Sequence, residues 1–424
     1  MTLLLALATS FAIFTLIFTA SQTQRITDVT NYQGGADFNG TIAASSYGSS
    51  FSASLLQKDT ALYRAIPGVT SATLGFRGKA GAGGSALALP IELRAVDADT
   101  YAHTAIWTAQ DSSQSVQSLM SMLAAQRSSA VVTNAVPAII DASARDVLHL
   151  SPDAPITLSF SDGLVNFIVV AEVQHIPSVT DSAVSSGSND LIPAGGVLVD
   201  YTTFANVYAS DFKSSGNTIP MNYAWLRTRS DPASLASVRH AISQGELQLT
   251  ELYDRRATFD ALHREPLYLD LIGVLALGAT TALLLALVGN LLASWLSARG
   301  RLTTFAVLRA LGTTPRELAS VLTWEQALIY TTSIVLGVLF GAILSALIVP
   351  ALVLSSVAPS GTSSDPSSGT FFVSQSVPPI QIIIPSSLGL ALAVLIAICL
   401  LALGMMIRVV SQPSTSQTLR LNED

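Results

Sequence analysis

Two long apolar segments that flank a short basic loop are the feature that most constrains the fold. Residues 271–296 and 327–354 are each long enough to cross the hydrocarbon core of a bilayer, which takes about 20 residues of helix. The loop between them, residues 299–325, contains four arginines, which are Arg299, Arg301, Arg309 and Arg316. Short arginine-rich loops normally remain in the cytoplasm. The sequence therefore predicts two membrane helices joined by a cytoplasmic loop.

The loop has the pattern of an amphipathic helix followed by the start of a second helix. Phe305, Leu308 and Leu311 recur at three-residue spacing, and Gly312 follows the last of them, where helices commonly end. The residue types that begin a helix then follow, namely Thr314, Pro315 and Glu317. From the pattern alone two interpretations are open: an interfacial hairpin, or a helix that docks into a groove of a partner.

Two further apolar segments lie at the ends of the chain. The first is either a cleaved signal peptide or a membrane helix, and the absence of a basic residue before Arg25 favours the membrane helix. We therefore expect four transmembrane helices, at residues 1–22, 266–297, 323–354 and 383–409. The predicted connections are a cytoplasmic loop at 298–322, an external loop at 355–382 and a cytoplasmic tail at 410–424.

The composition agrees with a membrane protein. Half of the residues are hydrophobic, only 12% are charged, and the mean hydropathy is +0.51. The net charge of −7 gives no sign of nucleic-acid binding, which requires a basic face. A single cysteine, Cys399, rules out an intramolecular disulfide, and its place in an apolar segment favours a packing role.

Residues 23–265 have the patterning of a folded extracytoplasmic domain. Alternating apolar residues predict strands around residues 72–76 and 89–95, and a continuous run predicts a central strand at 167–173. Helices are predicted at 54–66, at 115–127 and from Asp231 onward. The Ser/Gly-rich segment 181–189 is interpreted as a flexible loop, either a contact site or a solvated connector. The predicted fold class is therefore an α-helical membrane protein with four transmembrane helices and a large extracytoplasmic α+β domain between the first and second.

Small residues recur every four positions on the third predicted membrane helix. This stripe consists of Ser333, Gly337, Gly341 and Ser345. Small residues let helix backbones approach closely in a membrane, so the stripe favours packing within one bundle, and a dimer interface is the second interpretation. Asn290, near the cytoplasmic end of the second helix, is expected to reach the interface or to hydrogen-bond across helices.

Catalytic and metal-binding patterns are missing from the sequence. It has neither a GxxxxGK[ST] phosphate loop nor a GxSxG nucleophile motif, and its five histidines are scattered. Glu172 and His175 are three residues apart in a predicted strand, which puts them on opposite faces and disfavours a shared metal site. We therefore expect no enzyme activity, no metal site and no cofactor in this chain.

The run RxxTFAVLRALGTTPREL resembles the cytoplasmic loop of FtsX-like and MacB-like permeases, the membrane subunits of a class of ABC transporters. In that family the loop is a coupling helix that contacts a separate ATPase. By this resemblance the coupling residues are Arg301, Phe305, Ala306, Val307, Leu308, Arg309, Ala310, Leu311, Gly312 and Glu325. Thr304 stands where the family often has glutamate, so any ion pair made by that acid is not carried over.

Three segments of the predicted external domain are also similar to the periplasmic domain of these permeases: VPAIIDASARDVLHLSPDAPITL, FIVVAEVQHIP and NYAWLRT. The motif ADFNGTI resembles the entry to the second module of tandem permeases, which suggests that this chain is one module of a larger assembly. The resemblance implies a multi-pass protein of the plasma membrane.

The resemblance also implies partners and a function. A partner ATPase dimer would bind ATP and Mg²⁺, and a second permease module, a copy of this chain or a sibling, would complete the complex in the bilayer. ATP hydrolysis would then move the external domain and extrude or release a lipoprotein, a peptide or a hydrophobic drug. Two alternatives remain: a mechanotransmitting regulator that activates an extracellular partner such as a cell-wall hydrolase, and a membrane sensor without an ATPase.

Overall fold

The computed structural model describes residues 2–43, 53–82, 89–180, 182–185, 191–213, 217–244, 247–300, 314–353, 370–374 and 379–411. The chain divides into two compact units. The membrane unit comprises Met1–Arg25, His263–Leu354 and Ile380–Asp424. The external unit comprises Ile26–Leu262 and Ser355–Pro379.

The described helices are α1 (Thr2–Gly34), α2 (Ala53–Arg64), α3 (Ala98–Thr104), α4 (Val116–Ala125), α5 (Arg127–Thr133), α6 (Ala142–Leu148), α7 (Tyr201–Asp211), α8 (Pro232–Gln244), α9 (Arg255–His263), α10 (Pro266–Gly300), α11 (Pro315–Leu352) and α12 (Ser387–Ser411). The described strands are β1 (Phe38–Ile42), β2 (Val69–Ala82), β3 (Leu89–Val96), β4 (Val136–Asp141), β5 (Pro155–Phe160), β6 (Gly163–Val173), β7 (Ser182–Ser185), β8 (Leu191–Pro193), β9 (Gly195–Asp200), β10 (Tyr223–Thr228), β11 (Leu249–Asp254) and β12 (Thr370–Ser374).

Three helices of the described chain are long and apolar enough to cross a membrane: Thr2–Gly34, Pro266–Asn290 and Thr323–Leu352. They coincide with the first three predicted membrane helices. The fourth predicted helix coincides with α12, whose 25 residues extend over about 37 Å at the helical rise per residue. A total of four membrane spans remains a prediction.

Helix α1 is longer than the sequence analysis predicted, because it continues past residue 22 to Gly34. The added residues include polar side chains, which suggested the start of a folded domain, but no proline or glycine interrupts them. The helix ends where Gly35 adopts φ of +61° and its N–H donates to the Asn31 carbonyl at 2.8 Å. A glycine in this left-handed conformation is a common helix terminator.

The external unit is built on a nine-stranded sheet with the order β11-β1-β10-β2-β3-β9-β4-β6-β5. The pairs β3–β9 and β4–β6 are parallel, and the others are antiparallel. Strand β5 also pairs with β2, so the sheet curls and six of its strands form a closed ring. Every residue of β3 is buried. The described strands and helices confirm the predicted mixed character of this region.

The predicted elements of the external unit have clear counterparts. Segments 72–76 and 89–95 lie in β2 and β3, and the predicted helices correspond to α2, α4 and α8. The Asp231 carboxylate accepts the Ser234 N–H at 2.9 Å and so caps α8. The predicted central strand is β6, which is paired on both sides, with β4 and with β5.

Two predicted loops contribute strands. Within segment 181–189, residues Ser182–Ser185 form β7, so this part is not the flexible loop that its composition suggested. Strand β7 pairs with β8 and with β12, which comes from the predicted external loop 355–382. The three strands form a second sheet. This pairing joins segments that are nearly 190 residues apart, which local composition does not reveal.

A buried ion pair lies on the central strand β3. The carboxylate of Glu92 and the guanidinium of Arg94 are 2.6 Å apart, and both residues are 1% exposed. Arg94 also donates from Nε to the Ser178 hydroxyl at 3.2 Å, and Glu92 accepts the Thr180 N–H at 3.3 Å. Burial raises the pKa of Glu92, but the nearby arginines and hydrogen bonds outweigh it and hold this pKa below its usual value.

We expect Glu92→Gln to lower the free energy of unfolding by about 3–5 kcal/mol, because it leaves a buried guanidinium without its counter-charge. Urea unfolding of the full chain in detergent, followed by tryptophan fluorescence, measures this. Because the folded pKa of Glu92 is lowered, its contribution is present at neutral pH and is lost as the pH falls from about 4.5 through the lower folded value.

The matched control is the double variant Glu92→Met with Arg94→Met, which removes both charges and retains side-chain volume. It should lose less stability than Glu92→Gln alone. A loss below about 1 kcal/mol for Glu92→Gln would contradict this account of the pair.

Candidate functional site

The candidate functional site is the part of the membrane unit around α11 and the loop that precedes it. Ten coupling residues were predicted there, and nine of them, Arg301 and the run from Phe305 to Gly312, lie outside the described residues. Glu325 is described and is half-buried on α11. Their role in coupling therefore stays a prediction.

The start of α11 fixes the end of the loop. The Thr314 hydroxyl accepts the Glu317 N–H at 3.4 Å, and the Glu317 carboxylate accepts the Thr314 N–H at 2.9 Å. Pro315 occupies the first turn, where its missing N–H has no cost. The reciprocal hydrogen bonds form a capping box, which confirms the predicted helix start.

The small-residue stripe of α11 faces α1. All four of its residues, Ser333, Gly337, Gly341 and Ser345, are buried. A Cβ atom added at Gly337 would lie 2.7 Å from Thr9 Cβ and 3.0 Å from the Ala6 carbonyl oxygen. One turn further on, a Cβ at Gly341 would lie 3.0 Å from Ile13 Cβ. These approaches leave no room for larger side chains, so the stripe serves packing within the unit.

Helix α1 is the most enclosed of the three long apolar helices. In its most apolar 18-residue window 56% of the residues are buried, compared with 11% for α10 and 22% for α11. Two apolar clusters surround it: one contains Leu5 and Ala8, and the other contains Phe14 and Phe18. Helix α1 is therefore packed on more of its surface than α10 or α11.

Two hydrogen bonds of the membrane unit join different segments. The Asn290 side-chain amide donates to the Tyr330 hydroxyl at 3.1 Å, which joins α10 to α11 as a bond across helices. At the other end of the unit, the Ser21 hydroxyl accepts the Ile383 N–H at 3.0 Å. Hydrogen bonds of this kind between membrane helices contribute on the order of 1 kcal/mol each.

A cavity of about 360 Å³ lies between α1, α10 and α12. Its lining is apolar apart from Thr9, Asn290 and the Cys399 thiol. The Thr9 hydroxyl is already used, because it donates to the Leu5 carbonyl at 2.7 Å. The cavity is suited to hydrocarbon, because its lining is mostly apolar and the Thr9 hydroxyl and Asn290 amide group donate to partners within the unit.

The described residues include no group of three His, Cys, Asp or Glu side chains placed to hold a metal ion. Glu172 lies 3.6 Å from Arg145 in an ion pair. His175 packs edge-on against Tyr32, with ring centroids 5.5 Å apart. Both side chains thus have structural contacts in the external unit.

Comparison with known proteins identifies part of the chain. Residues 276–414 match the family model described as FtsX-like permease C-terminal. The match covers about a third of the chain and includes the stripe, the capping box and the predicted coupling residues. It confirms the resemblance found in the loop sequence. No curated protein gives a significant match to the chain.

Two solved structures are similar to the chain at low identity. The extracellular domain of the noncanonic ABC-type transporter YknZ from Gram-positive bacteria is 9% identical over 47% of this chain and 88% of that structure, with a TM-score of 0.26. The periplasmic region of MacB from Actinobacillus actinomycetemcomitans is 8% identical over 55% of this chain and 95% of that structure, with a TM-score of 0.28.

We expect Gly337→Leu and Gly341→Leu to destabilise the membrane unit by about 1–3 kcal/mol each, because the new side chains collide with α1. Thermal unfolding of the full chain in detergent, followed by size-exclusion chromatography of heated samples, measures the loss. The control is Gly273→Leu on α10, where an added Cβ meets no atom within 4 Å. Equal melting temperatures for all three variants would show that the stripe does not hold α1.

Proposed function

We propose that the chain is the membrane subunit of an ABC transporter of the FtsX/MacB type, because residues 276–414 match the family model described as FtsX-like permease C-terminal. This family match is the observation that carries the proposal. The match includes all of α11 and residues 276–300 of α10, the two helices that flank the predicted coupling loop. ATP and Mg²⁺ are assigned to a separate ATPase dimer, which is the partner that the family resemblance implies.

The proposed mechanism begins at the loop. Closure of the ATPase dimer on ATP pushes the coupling residues between Arg301 and Gly312, and α11, whose first turn is fixed by its capping box, moves with them. The close approach of α11 to α1 passes this displacement on. Such coupling requires two discrete arrangements whose populations depend on nucleotide.

Helix α1 supports transmission of this movement to the external unit. Its 33 residues extend over about 50 Å, whereas the hydrocarbon core of a bilayer is about 30 Å thick. Residues 26–34 of the same helix are counted within the external unit. In this proposal α1 carries the displacement into its own residues 26–34, because the helix is continuous from Thr2 to Gly34.

The external unit would then extrude or release a substrate of the lipoprotein, peptide or hydrophobic-drug class at the outer face of the membrane. Two permease modules are expected for an ATPase dimer, either two copies of this chain or this chain and a sibling. The alternative is a regulator whose external unit activates a cell-wall hydrolase. The two functions differ in what the external unit captures, so co-purification distinguishes them.

We expect an ATPase with a phosphate-loop sequence to co-purify with the native chain from membranes in mild detergent, and to be lost from Phe305→Asp and Arg309→Glu. The physical reason is that the predicted contact is an apolar and basic helix face. Mass spectrometry of the purified complexes measures this. Val132→Asp, at a position that is 86% exposed in the external unit, is the control and should retain the ATPase.

Two outcomes would contradict the transporter proposal: no ATPase co-purifies, or the ATPase co-purifies equally well with both loop variants. In either case the loop is only an interfacial hairpin, and the chain is a membrane sensor without an ATPase. Co-purifying lipidated proteins or amphiphiles support transport. A single cell-wall hydrolase supports regulation.

A further inference from the structure

Two of the four connections between the external unit and the rest of the chain, those at residues 25–26 and 262–263, converge on neighbouring strands. Helix α1 leads through Gly35 into β1, and β11 leads through α9 toward α10. Strands β1 and β11 are antiparallel neighbours, with Phe38 opposite Asp254. The end of α1 and the end of β11 therefore lie together within the external unit.

Asp37 joins these two segments. Its carboxylate is 6% exposed, and its Oδ1 accepts hydrogen bonds from Arg255 Nε at 3.1 Å and Nη2 at 2.9 Å. Its Oδ2 accepts the Thr228 N–H at 2.9 Å and lies 3.2 Å from Arg256 Nη2. We call Asp37, Thr228, Arg255 and Arg256 the Asp37 clamp. Both carboxylate oxygens are occupied, and the partners come from two segments, the end of β10 and the start of α9.

The clamp extends to the last turns of α1. Arg255 Nη1 donates to the Asn31 side-chain carbonyl at 3.2 Å. The neighbouring Tyr253 hydroxyl donates to the Thr30 carbonyl at 3.3 Å, and a Cβ added at Gly34 would lie 2.9 Å from the Tyr253 ring. Arg255 thus contacts both Asp37 and α1, and β11 and the end of α1 are bound as one body.

Stability alone does not require this arrangement. A buried carboxylate with two guanidinium partners incurs a large desolvation cost, and well-packed apolar residues can often replace such groups without loss. Charged groups do fix one geometry, because a bidentate guanidinium–carboxylate pair has a defined orientation. The position of the clamp, at the point where both connections leave the sheet, indicates what that geometry serves.

We infer that Asp37 is a positioning residue that makes the end of α1 and strand β11 a single mechanical unit, so that movement of either connection reaches the sheet through both. The transmission of movement rests on the proposed function. The joining of the two segments does not, and it is tested separately.

The first test is hydrogen exchange of the full chain in nanodiscs, read at residues 30–34 of α1 and 250–255 of β11. In the native chain the two segments should exchange with equal protection, as parts of one cooperative unit. Asp37→Asn places an amide N–H₂ against N–H donors and should raise exchange of the α1 segment by about tenfold relative to β11.

The matched control is Asp200→Asn. Asp200 is also buried, accepts two hydrogen bonds from Arg127 at 3.0 and 2.9 Å, and accepts the Thr203 N–H at 3.0 Å. It lies at the end of β9 and has no contact with α1 among these bonds. Asp200→Asn should change exchange of both segments by the same factor. If Asp37→Asn does the same, Asp37 is merely structural and the inference is wrong.

A second variant guards against failure of Asp37→Asn to fold. Arg255→Lys keeps the charge beside Asp37 but removes the bidentate fork and the bond to Asn31. It should raise exchange of the α1 segment by about threefold relative to β11. Equal protection of the two segments in this variant would also overturn the inference.

A further experiment tests the transmission of movement, by measuring hydrogen exchange of the chain in complex with the ATPase that co-purifies with it. In the native complex, addition of ATP with Mg²⁺ should alter exchange in β1 and β10. In Asp37→Asn this change should be lost while ATP hydrolysis continues. If ATP does not alter hydrogen exchange in the native complex, the proposed function is wrong. The first test still shows whether Asp37 joins the end of α1 to β11. If both complexes respond equally, the proposed function stands and the inference fails.

Discussion

The inability of hydrocarbon to hydrogen-bond a peptide group is the constraint on which the membrane unit depends. Each peptide group in the bilayer must be paired within the protein, which favours helices. Helix α1 meets this demand while carrying many hydroxyl side chains. Its threonines donate to carbonyls one turn earlier, in the pairs Thr9–Leu5, Thr15–Phe11, Thr19–Thr15 and Thr23–Thr19. Because these hydroxyls are satisfied within the helix, α1 can be enclosed by its neighbours without a polar cost.

Close packing then replaces the hydrophobic effect, which does not draw helices together in lipid. The glycines of α11 approach α1 at Thr9 and Ile13, where a side chain would collide. Sequence reasoning found this stripe from its four-residue period, but nothing in the period identifies the partner helix. More than 300 residues separate Gly337 from Thr9 along the chain. The local sequence pattern shows which face of a helix is packed. Only the three-dimensional structure shows which helix packs against that face.

The same limit explains which other predictions succeeded. The capping box at Thr314 and Glu317 and the cap of α8 by Asp231 are local, so the sequence predicted both helix starts. The end of α1 also had a local signal in Gly34 and Gly35, but the polar residues before them were interpreted as the start of a domain. Asp37 had none. Its arginine partners follow more than 200 residues later, and its burial depends on the order of strands in the sheet.

The last turns of α1 are ordered within the external unit, and ordering chain residues costs conformational entropy. Here the helix continues to Gly34 and its last turns are held from two sides. Tyr32 accepts the Ser178 N–H at 2.7 Å through its carbonyl, and the Ser178 hydroxyl in turn accepts a hydrogen bond from buried Arg94 on β3. From the other side, Tyr253 and Arg255 bind Thr30 and Asn31. The end of α1 is therefore connected through short polar bonds to the most buried strand of the sheet and to β11.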